Sequence, residues 1–246
     1  IESGQVSPSR ETVLRLLEVE ELALTWKDVL DDPTQPSASN AATDTNYNCY
    51  IPPGYDSMRM VQQLVRTLNG PGGHIEQTNA YLEHRSALAY VSMCNDVEYV
   101  TAYRAKYPLD VLARWIMTEG GHSPLKIIAL GAGDGYLEVR LVQHLLSMRT
   151  KPDIELLHFV ISQPLLTTAY QHAIDTFGEQ SAVHTLLVHG NFHDLAQYPQ
   201  VSYTPAKGRR RRLYTMLGYT LANFDREPRF FEHSLAHCQA GDMLLL

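Results

Sequence analysis

Gly131, Gly133 and Gly135 are the residues of this chain whose type and spacing point most directly to chemistry. They follow the apolar run Ile127, Ile128, Ala129 and Leu130 within Lys126–Leu141, KIIALGAGDGYLEVRL, and an amphipathic segment begins at once. A short apolar run, a glycine turn and a helix form the ligand cradle of nucleotide-binding α/β proteins. Glycine lets backbone approach a ligand where a Cβ would clash. The helix that starts there aims its free N–H groups into the turn. Gly131, Ala132, Gly133, Asp134 and Gly135 are therefore candidate ligand contacts.

Spacing selects among ligands. A nicotinamide fingerprint, GxGxxG, needs its third glycine where this chain has Tyr136, and a bulky ring there opposes close helix–strand packing. No GxxxxGK[ST] run for a nucleoside triphosphate occurs. GxGxG after the first strand of an alternating fold fits S-adenosyl-L-methionine, which has no pyrophosphate to cradle.

The elements that must position this turn can be read from periodicity. Ser9–Leu30 reads as a helix, and Asp31–Gly54, rich in Pro, Ser, Asn and Thr, as a loop or linker. Helices are expected at Tyr55–Leu68, at His74–Asn95, and over Val97–Gly120 with a break near Pro108. From Leu125 strand-like and helical segments alternate. Strands are expected at Leu125–Leu130, Ile154–Ile161, Ala182–Val188, Arg210–Leu217 and Met243–Leu246, and helices at Tyr136–Met148, Leu165–Phe177 and Glu227–Gln239. That rhythm implies a parallel sheet wrapped by helices, an α/β fold. Three regions follow: 1–54 helix and loop, 55–122 helical, and 123–246 a Rossmann-like domain.

Downstream blocks carry a family resemblance. Gly190-Asn191-Phe192-His193-Asp194-Leu195 is similar to GDFHDL, and Leu217 to Phe224, LGYTLANF, to LGSTIGNF. Asp225–Phe231 and the GDMLLL ending at Leu246 continue the pattern. In this order the blocks resemble the histidine N-methyltransferases of ergothioneine biosynthesis over Leu125–Leu246. The resemblance implies a doubly wound methyltransferase sheet of order 3-2-1-4-5 and S-adenosyl-L-methionine as cofactor. It implies that Gly131, Ala132 and Gly133 line the cofactor's methionine part, and that Asn191 and Phe192 flank its adenine. Asn223 matches the asparagine that holds the amino acid substrate, with Tyr219 and His193 as further candidates for the reacting end. Relative to the family pattern, acids are replaced by Ala129, Val160 and Asn191. Gln163 is then a neutral candidate partner for the ribose hydroxyls, and Asp134 a partial substitute for the lost charge.

Two readings therefore stand side by side: a transferase acting on a small amine or amino acid, and a non-catalytic methyltransferase-like module that binds a ligand or partner. His233 and His237, four apart on an expected helix, have no glutamate between them and no third ligand, so no metal site is expected. Tyr47, Tyr50, Tyr55 and Tyr81 are candidates for a substrate wall. The run Lys207–Arg212 reads as a solvated loop, with a phosphate or RNA contact as its functional alternative.

The net charge of −7 argues against a general nucleic-acid partner. Hydrophobic content of 44% with no run near ~18 apolar residues excludes a membrane-spanning helix as the organising element. Three dispersed cysteines read as reduced thiols of a cytoplasmic protein. The final segment ends in mid-strand at Leu246, so the domain reads as C-terminally incomplete, with an edge open to a second copy as a homodimer.

Overall fold

Leu125–Leu130 is apolar on both faces because both faces are covered, the condition of a central parallel strand. The computed structural model describes residues 49–50, 65–66, 69, 81, 84–178, 182–192, 195, 198, 201, 210–218, 220, 228, 230–236 and 238–246. In chain order the elements are β1 (Cys49–Tyr50), α1 (His84–Cys94), α2 (Val97–Ala102), a 3-10 turn (Arg104–Lys106), α3 (Leu109–Gly120), β2 (Leu125–Leu130), α4 (Tyr136–Met148), β3 (Ile154–Val160), α5 (Gln163–Phe177), β4 (Val183–His189), β5 (Arg211–Thr215), a π-turn (Phe230–Ser234) and β6 (Met243–Leu245). The expected helix at Ser9–Leu30, and most of that at Tyr55–Leu68, lie outside the described residues.

All strand pairs are parallel, in the order β1-β4-β3-β2-β5-β6. Counted from Leu125 this is the expected 3-2-1-4-5. The extra edge strand β1 falls inside the stretch expected to be a linker. Its register pairs Cys49 with Leu187 and Tyr50 with Val188, and the Tyr50 ring meets Tyr198 edge-on at 6.2 Å. Two residues are too few for any alternation to register in the sequence.

The sheet separates two apolar layers. Ile127, Leu156 and Leu213 face α3 and α4, through Ala113, Ile116, Val142 and Leu145. Ile128, Leu130, Leu157 and Phe159 face the opposite way, onto Phe192, Tyr198 and Phe230. Each fully buried aliphatic or aromatic side chain contributes about 1.5–3 kcal/mol, so these layers dominate the stability of the sheet.

Local chemistry sets the helix boundaries. The Asp96 carboxylate accepts from the amides of Glu98 and Tyr99 and starts α2. The Ser162 hydroxyl accepts from Leu165 N, with Pro164 in the first turn, so α5 begins two residues before its expected start. The expected helix over Glu227–Gln239 is described only as the π-turn, closed by Leu235 N donating to Phe230 O at 3.3 Å. The wide turn seats Phe230 wholly inside the core, edge-on to Phe192 at 6.0 Å.

Successive crossovers run from β2 to β3 on one side, and the chain later returns to β5 on the other. The order therefore reverses between β2 and β5, and ligands in open α/β sheets bind at the carboxyl edge of that point. The residues there are Gly131 after β2 and Met216–Gly218 after β5.

Candidate functional site

A cavity of about 490 Å³ opens at this edge, within the size range of small-molecule and cofactor sites. Its floor is the glycine turn, Gly131, Ala132, Gly133 and Asp134. Val160, Ile161, Ser162 and Phe192 form one wall, and Leu217, Gly218 and Thr220 the opposite one. Tyr81, Tyr90, Met93, Tyr99, Tyr103 and Arg104, all from the stretch between β1 and β2, form the roof.

The turn is tight enough to require glycine at two floor positions. Gly131 has φ +68°, and a Cβ there would lie 2.7 Å from the Thr220 methyl; Thr220 also donates its hydroxyl to Gly131 O at 3.3 Å. Gly133 has φ +59°, with the Tyr90 hydroxyl 2.6 Å from the Cβ position. L-residues at such φ cost about 1–2 kcal/mol.

Charge inside the cavity is largely spoken for. Asp134 pairs with the buried guanidinium of Arg104 at 2.6 Å and accepts from Tyr136 N at 3.3 Å. Arg104 also lies 4.5 Å above the Tyr136 ring. Asp134 therefore does not supply a free negative charge in place of the absent acids at Ala129 and Val160. Glu138, in the first turn of α4, also lines the cavity and is 1% exposed. Its Oε1 has no hydrogen-bond partner. Burial pushes this carboxyl up to about 8; its own backbone N–H opposes the shift, Asp134 adds to it and Arg104 opposes it. The Tyr107 hydroxyl accepts from Gly218 N at 3.5 Å, and burial raises its phenol while nearby Glu138 adds a smaller upward push. His189 donates Nε2–H to Ile161 O at 2.9 Å, joining the ends of β3 and β4, and burial lowers its imidazole.

The candidate residues are placed as follows. Gly131, Ala132, Gly133, Asp134 and Phe192 come together around one cavity. Gly135 does not line it. A Cβ at Gly135 would meet Ala169 Cβ at 2.9 Å and His158 Cε1 at 3.1 Å, so this glycine serves the packing of α4 on α5 and β3. Gln163, the first residue of α5, lines a second groove with His84, Leu88 and Thr167 and is not among the residues lining the cavity. Asn191 is half-buried beside Phe192, outside the set lining the cavity. His193, Tyr219 and Asn223 lie outside the described residues. Of the candidate tyrosines, Tyr81 lines the cavity, Tyr50 packs in the core, and Tyr47 and Tyr55 are outside the described residues.

Arg104, Tyr90, Thr220 and Glu138 were not anticipated as site residues. Arg104 meets Asp134 across 30 positions, a pairing that no local pattern encodes. Glu138 did carry a signal: it is a lone acid among the buried positions Leu137, Val139, Leu141 and Val142. The basic run is consumed structurally where it is described. Arg210 pairs with Asp153 and Glu155, Arg211 donates to the carbonyls of Gly241 and Glu119, and Arg212, 2% exposed, pairs with Asp242. Arg211 and Arg212 thus lie in β5, inside the strand expected over Arg210–Leu217, and not in the solvated loop that the charge run suggests. Among the described residues no group of three or more His, Cys, Asp or Glu is placed to hold a metal, and no helix is long and apolar enough to cross a membrane. Cys49, Cys94 and Cys238 are unbridged.

No protein-family model matches this chain, and no curated protein matches it. Two solved structures of magnesium protoporphyrin IX methyltransferase (ChlM) from Synechocystis PCC 6803 do. The form with bound SAH is 12% identical with a TM-score of 0.37, over 73% of this chain and 64% of that one. The form with bound SAM is 13% identical with a TM-score of 0.37, over 82% of this chain and 75% of that one. This chain therefore spans about two thirds of the first matched enzyme's length. The sheet order, with a parallel six-stranded sheet and helices on it, is α/β of the doubly wound, Rossmann-like kind.

Proposed function

We propose that the chain is an S-adenosyl-L-methionine-dependent N-methyltransferase acting on a small amine or amino acid. The observation that carries the reading is the cavity where the strand order reverses, floored by Gly131–Asp134 and walled by Phe192. The residues fit a sulfonium nucleoside in part. The glycine turn lines the cavity, with Thr220 and Tyr90 standing over Gly131 and Gly133, Phe192 offers a ring beside the turn, and the volume suits a nucleoside with an amino-acid tail. The resemblance to histidine N-methyltransferases in the blocks around Phe192 and Leu217 directs the substrate search to small amines and amino acids, with Asn223, Tyr219 and His193 as the positions to test.

When bound, the cofactor would supply a methyl group already electrophilic on its sulfonium. The protein then needs only to bring a neutral amine into line with the S–CH3 bond and to exclude water. The tyrosine roof, Tyr81, Tyr90, Tyr99 and Tyr103, is suited to both tasks, presenting rings over the turn and hydroxyls at their tips. The amine held beneath that roof would give up one proton on methylation.

Incubation with methyl-labelled S-adenosyl-L-methionine and pooled amines and amino acids tests the reading. Label transfer to one pool supports it. A second reading, a ligand-binding module without transfer, is favoured by one specific feature: Ala129 and Val160 leave the strand ends without acids, and Asp134 is already paired. Saturable cofactor binding with no label in any pool would select that reading.

A further inference from the structure

We infer that Glu138 binds the ammonium group at the amino-acid end of an adenosylmethionine-type ligand. The inference rests on the cofactor reading above and assigns a residue to one end of that ligand. Three observations lead to it. Glu138 lines the cavity beside the glycine turn, it is 1% exposed, and its Oε1 has no partner. A buried carboxyl oxygen without a partner is costly to the fold, and such groups concentrate where a ligand completes them. The neighbouring acid cannot take this role, because Asp134 is held by Arg104 at 2.6 Å and by the Tyr136 amide. The strand ends offer no carboxylate either, at Ala129 or Val160.

The surroundings decide how Glu138 would respond. The ionisable groups that act on it are Asp134 from the turn, and Arg104 and Tyr107 from the layer before the sheet. Arg104 stays charged across the working range, and burial holds the Tyr107 phenol in its neutral form near pH 7. Burial pushes Glu138 up to about 8, so near pH 6.5 it carries its proton. A cation brought against it favours the carboxylate. Binding then expels about one proton to solvent for each ligand bound.

Titration calorimetry at pH 6.5, in two buffers of different ionisation enthalpy, counts that proton. Two probes are compared: S-adenosylhomocysteine, which has the amino-acid end, and 5′-methylthioadenosine, which lacks it. The expected result is release of about one proton with the first and none with the second. In Glu138→Gln, release should vanish and S-adenosylhomocysteine should bind about 10- to 100-fold more weakly, the range for loss of a charge-assisted hydrogen bond, while 5′-methylthioadenosine is unaffected. Equal proton release with both probes, or an unchanged affinity ratio in the variant, overturns the assignment and leaves the cofactor reading intact. If neither probe binds the unaltered protein, the cofactor reading falls and the assignment with it. Should the variant fail to fold, the proton count on the unaltered protein decides.

Discussion

Glu138→Gln should make the protein more stable at neutral pH, by an amount that grows with pH. In the folded chain the carboxyl is raised from its ordinary 4.5 to about 8, chiefly by burial. A folded-state value above the unfolded one means that the unfolded chain gives up its proton first. The stability contributed by the neutral acid is therefore complete below about pH 4.5 and is drained as pH rises towards about 8. Each pH unit in that window removes about 1.4 kcal/mol, so at pH 7 the penalty is about 3 kcal/mol. Glutamine has nearly the same shape and amide polarity but no proton to lose. Urea denaturation followed by circular dichroism at pH 5, 6, 7 and 8 measures both chains. The variant should match the unaltered protein within about 1 kcal/mol at pH 5 and exceed it by about 3 kcal/mol at pH 7. A difference that stays constant across the series, or a variant that is less stable at pH 8, would refute the burial of this acid with one oxygen unpartnered. A gain in stability paired with a loss of affinity for the amino-acid end is the signature of a residue held for binding.

Three further perturbations follow from the geometry. Arg212→Ala strips the buried partner from Asp242 and should cost about 3–5 kcal/mol in urea denaturation; a loss under about 0.5 kcal/mol would show the pair to be dispensable. Gly135→Ala puts a Cβ against the Ala169 backbone at φ +73° and should lower stability by at least about 1–2 kcal/mol, read as a fall in melting temperature; an unchanged melt would contradict the packing of α4 on α5. His158 is wholly buried and its imidazole is lowered to about 4, chiefly by burial and then by His172, so its stability contribution is present above about pH 6.5 and lost as pH falls towards 4. His158→Leu should remove up to about 3 kcal/mol of acid-side loss, and parallel acid profiles for the two chains would count against it.

The sheet was legible because its strands are short apolar runs separated by amphipathic segments; the register of β2 against β3 was not, because both strands are buried on both faces and carry no alternation. The glycine turn was legible because positive φ at Gly131 and Gly133 leaves a direct mark on composition. Phe192 could be placed from its block. The roof could not. Tyr90 reaches the turn from α1 and Arg104 from the three-residue 3-10 turn, and their partners Gly133 and Asp134 are distant in sequence. Gln163 was chosen for following the block Val160-Ile161-Ser162; it is the first residue of α5 and lines the groove with His84 and Thr167. The partners of the basic run were not legible: acids at Asp153, Glu155 and Asp242 hold Arg210 and Arg212, and all three are distant in sequence.

We expect an adenosylmethionine-type nucleoside to occupy the cavity between Gly131 and Phe192, and a crystal structure of the protein grown with S-adenosylhomocysteine at millimolar concentration decides it. Density should lie over Gly131–Asp134, with adenine beside Phe192 and the amino-acid end within hydrogen-bond distance of Glu138. Well-ordered protein with that cavity empty, or the ligand seated in the groove beside Gln163, would contradict it.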